Sequence, residues 1–428
     1  MFRTLRPPAV YVTEEAERDS RSLRRVERLL ACIECSHVHR SVTDAQLDAA
    51  MAGNTRRSAR KWGEMAEHAD PPIVLNTIKE HHTEEQRRER LRLHPALNSW
   101  RLHGYGCIRY RQDGIPAWRQ REGRICQPAY ELHSVFGCPF RCHYCHYNGV
   151  LNMMVNIEDF VDHIDSHIDQ LAPPQTLYKW DNTTDLNAFE PEYDAVRPLV
   201  EYFASRETDY LLLYAGKSDN VDFMLDLEHR GRTIGLWSLS AAAQSTVLEP
   251  ETAPWDRRVA AMAKCQRAGY PVRCRFSPIL PVKGWREENR ELIELLFQET
   301  KPDVVALCMF GWMDYERAAQ CIDLSLLDGQ FVDAMKASAP FLQRRRYGPL
   351  PHDARAEIYR FLIDEIQRVS PDTPVALCLD TPAMWAEFRD ELRQTPDDYV
   401  CVCGPTCTPG DPQFDAARAP RPSAAPPH

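Results

Sequence analysis

Three cysteines crowd into Gly137-Cys138-Pro139-Phe140-Arg141-Cys142-His143-Tyr144-Cys145, three residues separating the first two and two the last two. A loop this short bends three thiolates toward one point. Thiolates are soft ligands that suit zinc and iron–sulfur clusters. A structural zinc site takes four ligands, and no fourth cysteine or ligand pair follows at finger spacing. An iron–sulfur cluster also usually takes four thiolates, so three leave one iron open to a substrate or cosubstrate. The residues ahead of the loop, Tyr130-Glu131-Leu132-His133-Ser134-Val135-Phe136, alternate between apolar and polar as a strand does. Behind it, Ile157 to Leu171 has the pattern of an amphipathic helix. The cysteines are thus expected on a loop at the C-terminal end of a strand, where α/β folds carry their chemistry.

A second thiol-rich stretch closes the chain: Tyr399-Val400-Cys401-Val402-Cys403-Gly404-Pro405-Thr406-Cys407. Cys401, Cys403 and Cys407 could ligate an auxiliary iron–sulfur cluster with Cys378 or a substrate as fourth ligand, bind zinc, or donate hydrogen. A cysteine-rich turn without metal is the plainer alternative. Cys32-Ile33-Glu34-Cys35, followed by His37 and His39, also has ligand types. With no second ligand pair, packing at a helix end is the stronger reading.

The elements that must position these groups follow from periodicity. Residues 1–105 are rich in Arg, Glu and Ala and poor in strand signals, with helices expected at Glu14 to Cys32 and Thr83 to Leu93. This segment reads as a helical N-terminal extension. From Tyr130 strands alternate with helices: Tyr130–Phe136, Gln175–Trp180, Tyr210–Tyr214, Thr233–Leu239, Val272–Phe276 and Val304–Phe310. The helices between them are expected at Ile157–Leu171, Pro191–Ser205, Val221–Glu228, Trp255–Ala268 and Trp285–Glu299. Such alternation predicts an α/β fold with a parallel sheet and right-handed crossovers. Six units make a partial (βα)6 TIM-like barrel over residues 106–350, its open side able to admit a large substrate. Residues 351–407 add a helix at Ala354–Val369, a strand at Val375–Leu379, a helix at Pro382 to Arg393 and the cysteine-rich segment; 408–428 reads as a disordered tail.

The chain has 428 residues, 15 cysteines and a formal net charge of −10. It holds no apolar run of about eighteen residues, so no membrane span is expected. The N-terminus lacks an apolar signal core, and reduced thiols in a cytoplasmic setting are the better reading of the cysteines. The acidic balance argues against a broad nonspecific nucleic-acid footprint but leaves room for a local basic groove.

The Cys138-Cys142-Cys145 spacing, with aromatic Tyr144 before the last cysteine, resembles the signature of radical S-adenosylmethionine (SAM) enzymes. Further stretches resemble the spore photoproduct lyase branch of that superfamily: Val155-Asn156-Ile157-Glu158-Asp159, Asn220-Val221-Asp222, Ala268-Gly269-Tyr270-Pro271, Pro278-Ile279, Gly284-Trp285 and Arg346-Tyr347-Gly348. The resemblance implies a [4Fe-4S] cluster on Cys138, Cys142 and Cys145 whose open iron chelates SAM. It implies Tyr144 beside the adenine, and Thr184, Lys217 and Ser238 around the carboxylate and ribose. It implies a lyase-type enzyme that forms a 5′-deoxyadenosyl radical, with a one-electron reductant such as flavodoxin or ferredoxin as partner.

Departures from the family pattern fall where hydrogen is returned to the product. Asn182 stands where the family has a cysteine, and His146, followed by Tyr147, stands where it has a tyrosine. An amide N–H is a far poorer hydrogen-atom donor than a thiol. Asn182, His146 and Tyr347 are therefore the candidate catalytic residues, with Asp181, Asp185 and His143 as polar neighbours. Arg344, Arg345 and Arg346 are candidates to hold an anionic substrate. The expected substrate is a small molecule, such as a nucleoside or natural-product intermediate, with repair of a DNA lesion through another hydrogen donor as the alternative.

Overall fold

The structure is a computed structural model that describes residues 1–53, 70–147, 149–342 and 350–420. Thirteen strands occur among these residues: β1 (Val10–Thr13), β2 (Val38–Val42), β3 (Ile73–Asn76), β4 (Ile108–Arg111), β5 (Ala129–Leu132), β6 (Val135–Phe136), β7 (Leu151–Met154), β8 (Leu177–Trp180), β9 (Tyr210–Gly216), β10 (Thr233–Leu239), β11 (Val272–Ile279), β12 (Val305–Met309) and β13 (Val375–Leu377).

Eight of them form one sheet in the order β13-β12-β11-β10-β9-β8-β5-β4. All neighbours from β5 to β13 run parallel, and β4 is added antiparallel at one edge. Edge strands β4 and β13 do not pair with each other, so the wall stays open. Period-2 alternation sorts its side chains. Val272, Cys274, Val305 and Leu307 face the outer layer of helices, which includes Trp255–Arg267, Trp285–Glu299 and His352–Val369. Leu212, Tyr214, Ile234, Leu236, Val304 and Ala306 face inward and pack with Val400, Val402, Cys407 and Phe414. The cysteine-rich segment is therefore the floor of the barrel. The expected seventh strand is present as β13, beside β12.

The extension has helices at Ser20–Ala31, Asp44–Met51 and Glu84–Leu93, each with a local reason to start. Asp19 accepts the N–H groups of Arg21 and Ser22, while Thr43 with Gln46 and Thr83 with Gln86 form capping boxes. The extension also supplies β1, β2 and β3, which the charged composition hid. They make a second sheet in the order β2-β1-β3-β7-β6. Its last two strands flank the Cys138–Cys145 loop. The expected continuous strand Tyr130–Phe136 is thus two: β5 in the barrel and β6 in the second sheet, with a break at His133-Ser134.

Two further expectations are corrected. Val221–Glu228 contains only a short 3-10 turn at Asp222–Met224, although Val221, Met224 and Leu227 are buried. Residues 408–420 are ordered rather than a loose tail. Asp411 caps helix Pro412–Ala417, and Phe414 is fully buried beneath the Arg273 guanidinium at 4.9 Å. Burying one such ring contributes about 1.5–3 kcal/mol, enough to anchor a short segment. The remainder of the expected tail, 421–428, lies outside the described residues. Among the described residues no helix is long and apolar enough to cross a membrane.

Candidate radical site at the barrel mouth

The cysteine loop leaves β6 at Phe136 and returns to β7. At Gly137, φ is +110° and an added Cβ would lie 2.2 Å from the Val150 carbonyl oxygen, so the base of this hairpin closes only on glycine. Cys145 N–H donates to the Cys142 carbonyl at 2.9 Å, His143 N–H to the Leu248 carbonyl at 3.0 Å, and Tyr147 N–H to Cys145 Sγ at 3.4 Å. Cys142 is buried, and Cys138 and Cys145 are half-buried. Burial pushes all three thiols up, and their mutual repulsion as thiolates adds to it for Cys138 and Cys142. Among the described residues no three His, Cys, Asp or Glu side chains are drawn tightly enough together to hold a single metal ion. Three desolvated thiols on one loop suit a multi-iron centre, because only a bound cation offsets the cost of their deprotonation. The donor set thus fits an iron–sulfur cluster.

Beside this loop lies a buried charged knot that sequence reasoning missed. Glu249 accepts Tyr144 O–H at 2.6 Å, Ser240 O–H at 2.6 Å and Gln244 N–H at 3.1 Å. Arg258 Nη2 lies 2.8 Å and Lys217 Nζ 3.5 Å from its carboxylate. Burial opposes its charge, but Lys217 and Arg258 prevail and hold its pKa at about 2. In the sequence Glu249 sits in Leu248-Glu249-Pro250-Glu251, with no spacing to distinguish it from a surface acid. Lys217, at the end of β9, also donates to the Ser277 carbonyl at 2.9 Å. Tyr144 packs edge-on to Trp312 at 6.3 Å, and Trp312 Nε1 donates to the Tyr144 carbonyl at 2.9 Å. Tyr144 and Lys217 are therefore joined through Glu249, whose charge also raises the Cys142 thiol two residues before Tyr144.

The loop after β8 brings the next group. Asp181 is fully buried and fixes the strand break, accepting Ser134 N–H at 2.8 Å and Val135 N–H at 3.1 Å, with His133 Nδ1 at 2.9 Å. Thr184 Oγ1 and Asp185 Oδ1 are buried polar atoms without a hydrogen-bond partner, as expected of groups that meet a ligand. Burial pushes the Asp185 carboxyl up to about 7 although it accepts Lys217 N–H. Gly216 has φ +66°, and a Cβ there would lie 2.2 Å from Asp185 Oδ2. Asn182 is half-buried beside them.

Other candidates are placed differently. The Ser238 carbonyl accepts Arg258 Nη1 at 3.2 Å, and its Oγ lies 2.8 Å from Tyr214 OH, which accepts from Arg275 at 2.6 Å. His146 stacks near Tyr147 at 4.4 Å, and its carbonyl accepts Arg101 Nη2 at 3.0 Å. Half-buried His143 lies in the cysteine loop. Tyr347 and Arg344–Arg346 lie outside the described residues. Cys32 and Cys35 are free thiols, and His39 stacks on Tyr11 at 5.0 Å.

Cys401, Cys403 and Cys407 sit at the opposite end of the barrel. The Pro405 carbonyl accepts Thr176 N–H at 2.8 Å and Leu177 N–H at 2.9 Å, at the start of β8. Arg273 donates to the carbonyls of Val402 at 3.0 Å and Cys407 at 2.7 Å, and Arg111 approaches Cys403 Sγ at 3.8 Å. A strand the length of β9 spans roughly 20 Å at about 3.3 Å per residue. The cysteine-rich segment meets β8 at its start, whereas Asn182 follows the end of that strand.

An aromatic ledge adjoins the cysteine loop. Trp100 is 38% exposed and packs edge-on to Phe136 at 5.5 Å. The guanidinium of Arg101 lies 5.3 Å, and that of Arg109 5.6 Å, from its ring. Burial together with Arg87, Arg90 and Arg109 holds nearby His103 down to about 4. Of these guanidinium groups Arg109 is exposed, Arg101 is buried, and Arg90 is buried against Asp44.

Fold and site together define a partial barrel with a three-thiolate loop at its mouth. Residues 126–320 match the family model described as spore photoproduct lyase. The spore photoproduct lyase of Bacillus subtilis (strain 168) is 29% identical over 181 residues, 41% of this chain and 53% of that protein. The chain spans about half the length of the curated relatives it matches. A solved spore photoproduct lyase mutant superposes with a TM-score of 0.59 at 17% identity, over 88% of this chain and 99% of the other. Another, with bound AdoMet and dinucleoside spore photoproduct, gives 0.57 at 16% identity, over 88% and 99%. The chain resembles the spore photoproduct lyase branch of the radical SAM superfamily.

Proposed function

We propose that this protein is a radical SAM enzyme that removes a hydrogen atom from a carbon of a nucleoside-like organic substrate. The observation that carries this reading is the joining of Lys217 to Tyr144, two residues after Cys142, through Glu249 at the mouth of an open barrel. Cys138, Cys142 and Cys145 would hold a [4Fe-4S] cluster, with SAM on its open iron. That pair, when bound and reduced, supplies a carbon radical able to attack an unactivated C–H bond. Lys217 offers a cation to a carboxylate, and Thr184 Oγ1 and Asp185 Oδ1 offer unspent hydrogen-bonding capacity. Glu249 fixes Lys217 and Tyr144 so that neither must reorganise on binding. The open wall admits the substrate, while the filled floor keeps water from entering below. An external one-electron donor of the flavodoxin or ferredoxin class is the required partner.

A second reading, reversal of a lesion in DNA, is favoured by the Trp100 ledge. Exposed aromatic rings flanked by arginines are the means by which proteins stack unpaired bases and hold phosphates. The relatives named above are spore photoproduct lyases, one of them solved with a dinucleoside spore photoproduct bound. Cys401, Cys403 and Cys407 are not assigned a cluster in either reading.

Anaerobic reconstitution with iron, sulfide and SAM tests the proposal. Wild-type protein should bind about four irons, one cubane, and cleave SAM when reduced with dithionite. Cys142→Ala should do neither; SAM cleavage by that variant would overturn the assignment. Competition by single-stranded DNA for a fluorescent nucleoside, lost in Trp100→Ala, would favour the DNA reading over the small-molecule one.

A further inference from the structure

Cys308 and Cys378 stand side by side on the inner wall of the barrel. Strands β12 and β13 are parallel with Leu307 opposite Leu377, which sets Cys308 beside Cys378. Cys378 N–H donates to the Leu307 carbonyl at 2.7 Å and extends the pairing by one residue. Val304 and Ala306 face into the barrel, so Cys308, two residues further on, does too. On the other side Phe276 pairs with Leu307, so Ser277 follows on β11 next to Cys308. The Ser277 carbonyl in turn accepts the Lys217 ammonium at 2.9 Å. A row of contacts, Lys217 to Ser277 to Cys308 to Cys378, thus crosses the rim from the cysteine-loop side to the open edge at β13.

The pair is chemically asymmetric. The hydrogen bond from Cys378 lowers the Cys308 pKa and the Arg275 guanidinium lowers it further, while the same contact raises that of Cys378. Asp380 and Cys403 are the nearby groups that oppose ionisation of one or the other. Cys308 thus leans toward thiolate, and Cys378 keeps its S–H. Cys308 is buried, whereas Cys378 retains accessible surface.

We propose that Cys378, paired with Cys308, donates a hydrogen atom to a carbon radical formed in the barrel mouth. The inference rests on the radical reading above. The S–H bond of Cys378 breaks homolytically as the new C–H bond forms, and the odd electron stays on sulfur. Cys308, as thiolate, shares that electron across the S–S contact. One electron from a one-electron protein donor of the class already invoked, and one proton from solvent, restore the thiol.

Two measurements on the full chain separate this from the radical reading itself. The first needs neither cluster nor SAM: brief diamide oxidation, then proteolysis and mass spectrometry. A Cys308–Cys378 cross-linked peptide lighter by two hydrogens is expected, and it should be absent from Cys308→Ser. Absence of the cross-link in wild-type protein, while other thiols oxidise, would overturn the pairing. The second uses reconstituted protein, SAM and dithionite in D2O, where the donor thiol carries deuterium. Wild type should release 5′-deoxyadenosine bearing one deuterium. Cys378→Ser, whose O–H is a poor hydrogen-atom donor, should release it with deuterium reduced to the level of a cysteine-blocked control. Undiminished deuterium in that variant defeats the donor role. No 5′-deoxyadenosine from wild type defeats the radical reading and the donor role with it, while the cross-link still reports whether the dithiol exists.

Discussion

Glu249 shows why single residues were the least legible part of the sequence. The three cysteines announced themselves by spacing, and Lys217 by its place after Ala215-Gly216 at a strand end. Glu249 has no such pattern; its importance comes from Tyr144, Lys217 and Arg258 converging on it from distant parts of the chain. Removing its charge leaves two buried cations unopposed. Glu249→Gln should therefore cost about 3–5 kcal/mol, the usual penalty for breaking a buried pair, seen as a lower denaturation midpoint. Lys217→Met should weaken SAM binding by about tenfold or more, the loss of a charge-assisted hydrogen bond of roughly 1.5–3 kcal/mol, measured by calorimetry. Glu131 carries a pH signature. Burial opposes its charge, yet Lys179 and Arg111 hold its pKa at about 2. A carboxylate depressed in the folded state contributes stability above its unfolded pKa of about 4.5, and that stability is lost as pH falls toward 2. Glu131→Gln should flatten the acid limb of the stability curve by about 3 kcal/mol at most, read from urea midpoints between pH 5 and 3.

At the scale of elements, sequence periodicity found the barrel strands because each is buried on both faces and bounded by charged helices. It missed β1 to β3 because each is only four or five residues long and pairs with a strand distant in sequence. It merged β5 and β6 because alternation continues through His133-Ser134 while the partner strand changes, and the pairing that separates them is non-local. The floor segment was legible as a motif but not as a place: Cys401, Cys403 and Cys407 are positioned by Arg273 and β8, far away in sequence. The junction between β9 and the loop after β8 has its own prediction. Gly216→Ala adds a methyl both to a left-handed backbone and against Asp185. Overpacking and strain of this kind cost typically 1–3 kcal/mol each. The variant should lose stability, and SAM affinity should fall with it because Asp185 and Lys217 N–H move together. Gly231→Ala is the control, with φ +71° but nothing near its Cβ.

The molecule as a whole is two sheets that share the segment carrying the cysteines. β5 and the loop beyond β8 belong to the barrel, whereas β6 and β7 complete the sheet begun by β1 to β3. Arg25 ties them further: it is buried and bidentate to Glu158 at 2.7 Å, and it donates to the Val155 carbonyl beyond β7 at 3.1 Å and to the Asp194 carbonyl between β8 and β9 at 3.3 Å. Arg3 does the same nearer the chemistry, with Nη2 donating to the Pro139 carbonyl at 2.7 Å inside the cysteine loop. A sheet split in this way cannot lose one half without exposing the unpaired edge of β3 or β7. The two sheets should therefore unfold in one transition rather than as independent units. Arg25→Ala should lower hydrogen-exchange protection in β7 and in β9 together, by about 3–5 kcal/mol for a broken buried pair. Iron uptake on reconstitution should fall in the same variant, because the loop between β6 and β7 is then held from one side only. Protection lost in β7 alone, with β9 and iron content unchanged, would show the N-terminal sheet to be a separable addition to the barrel.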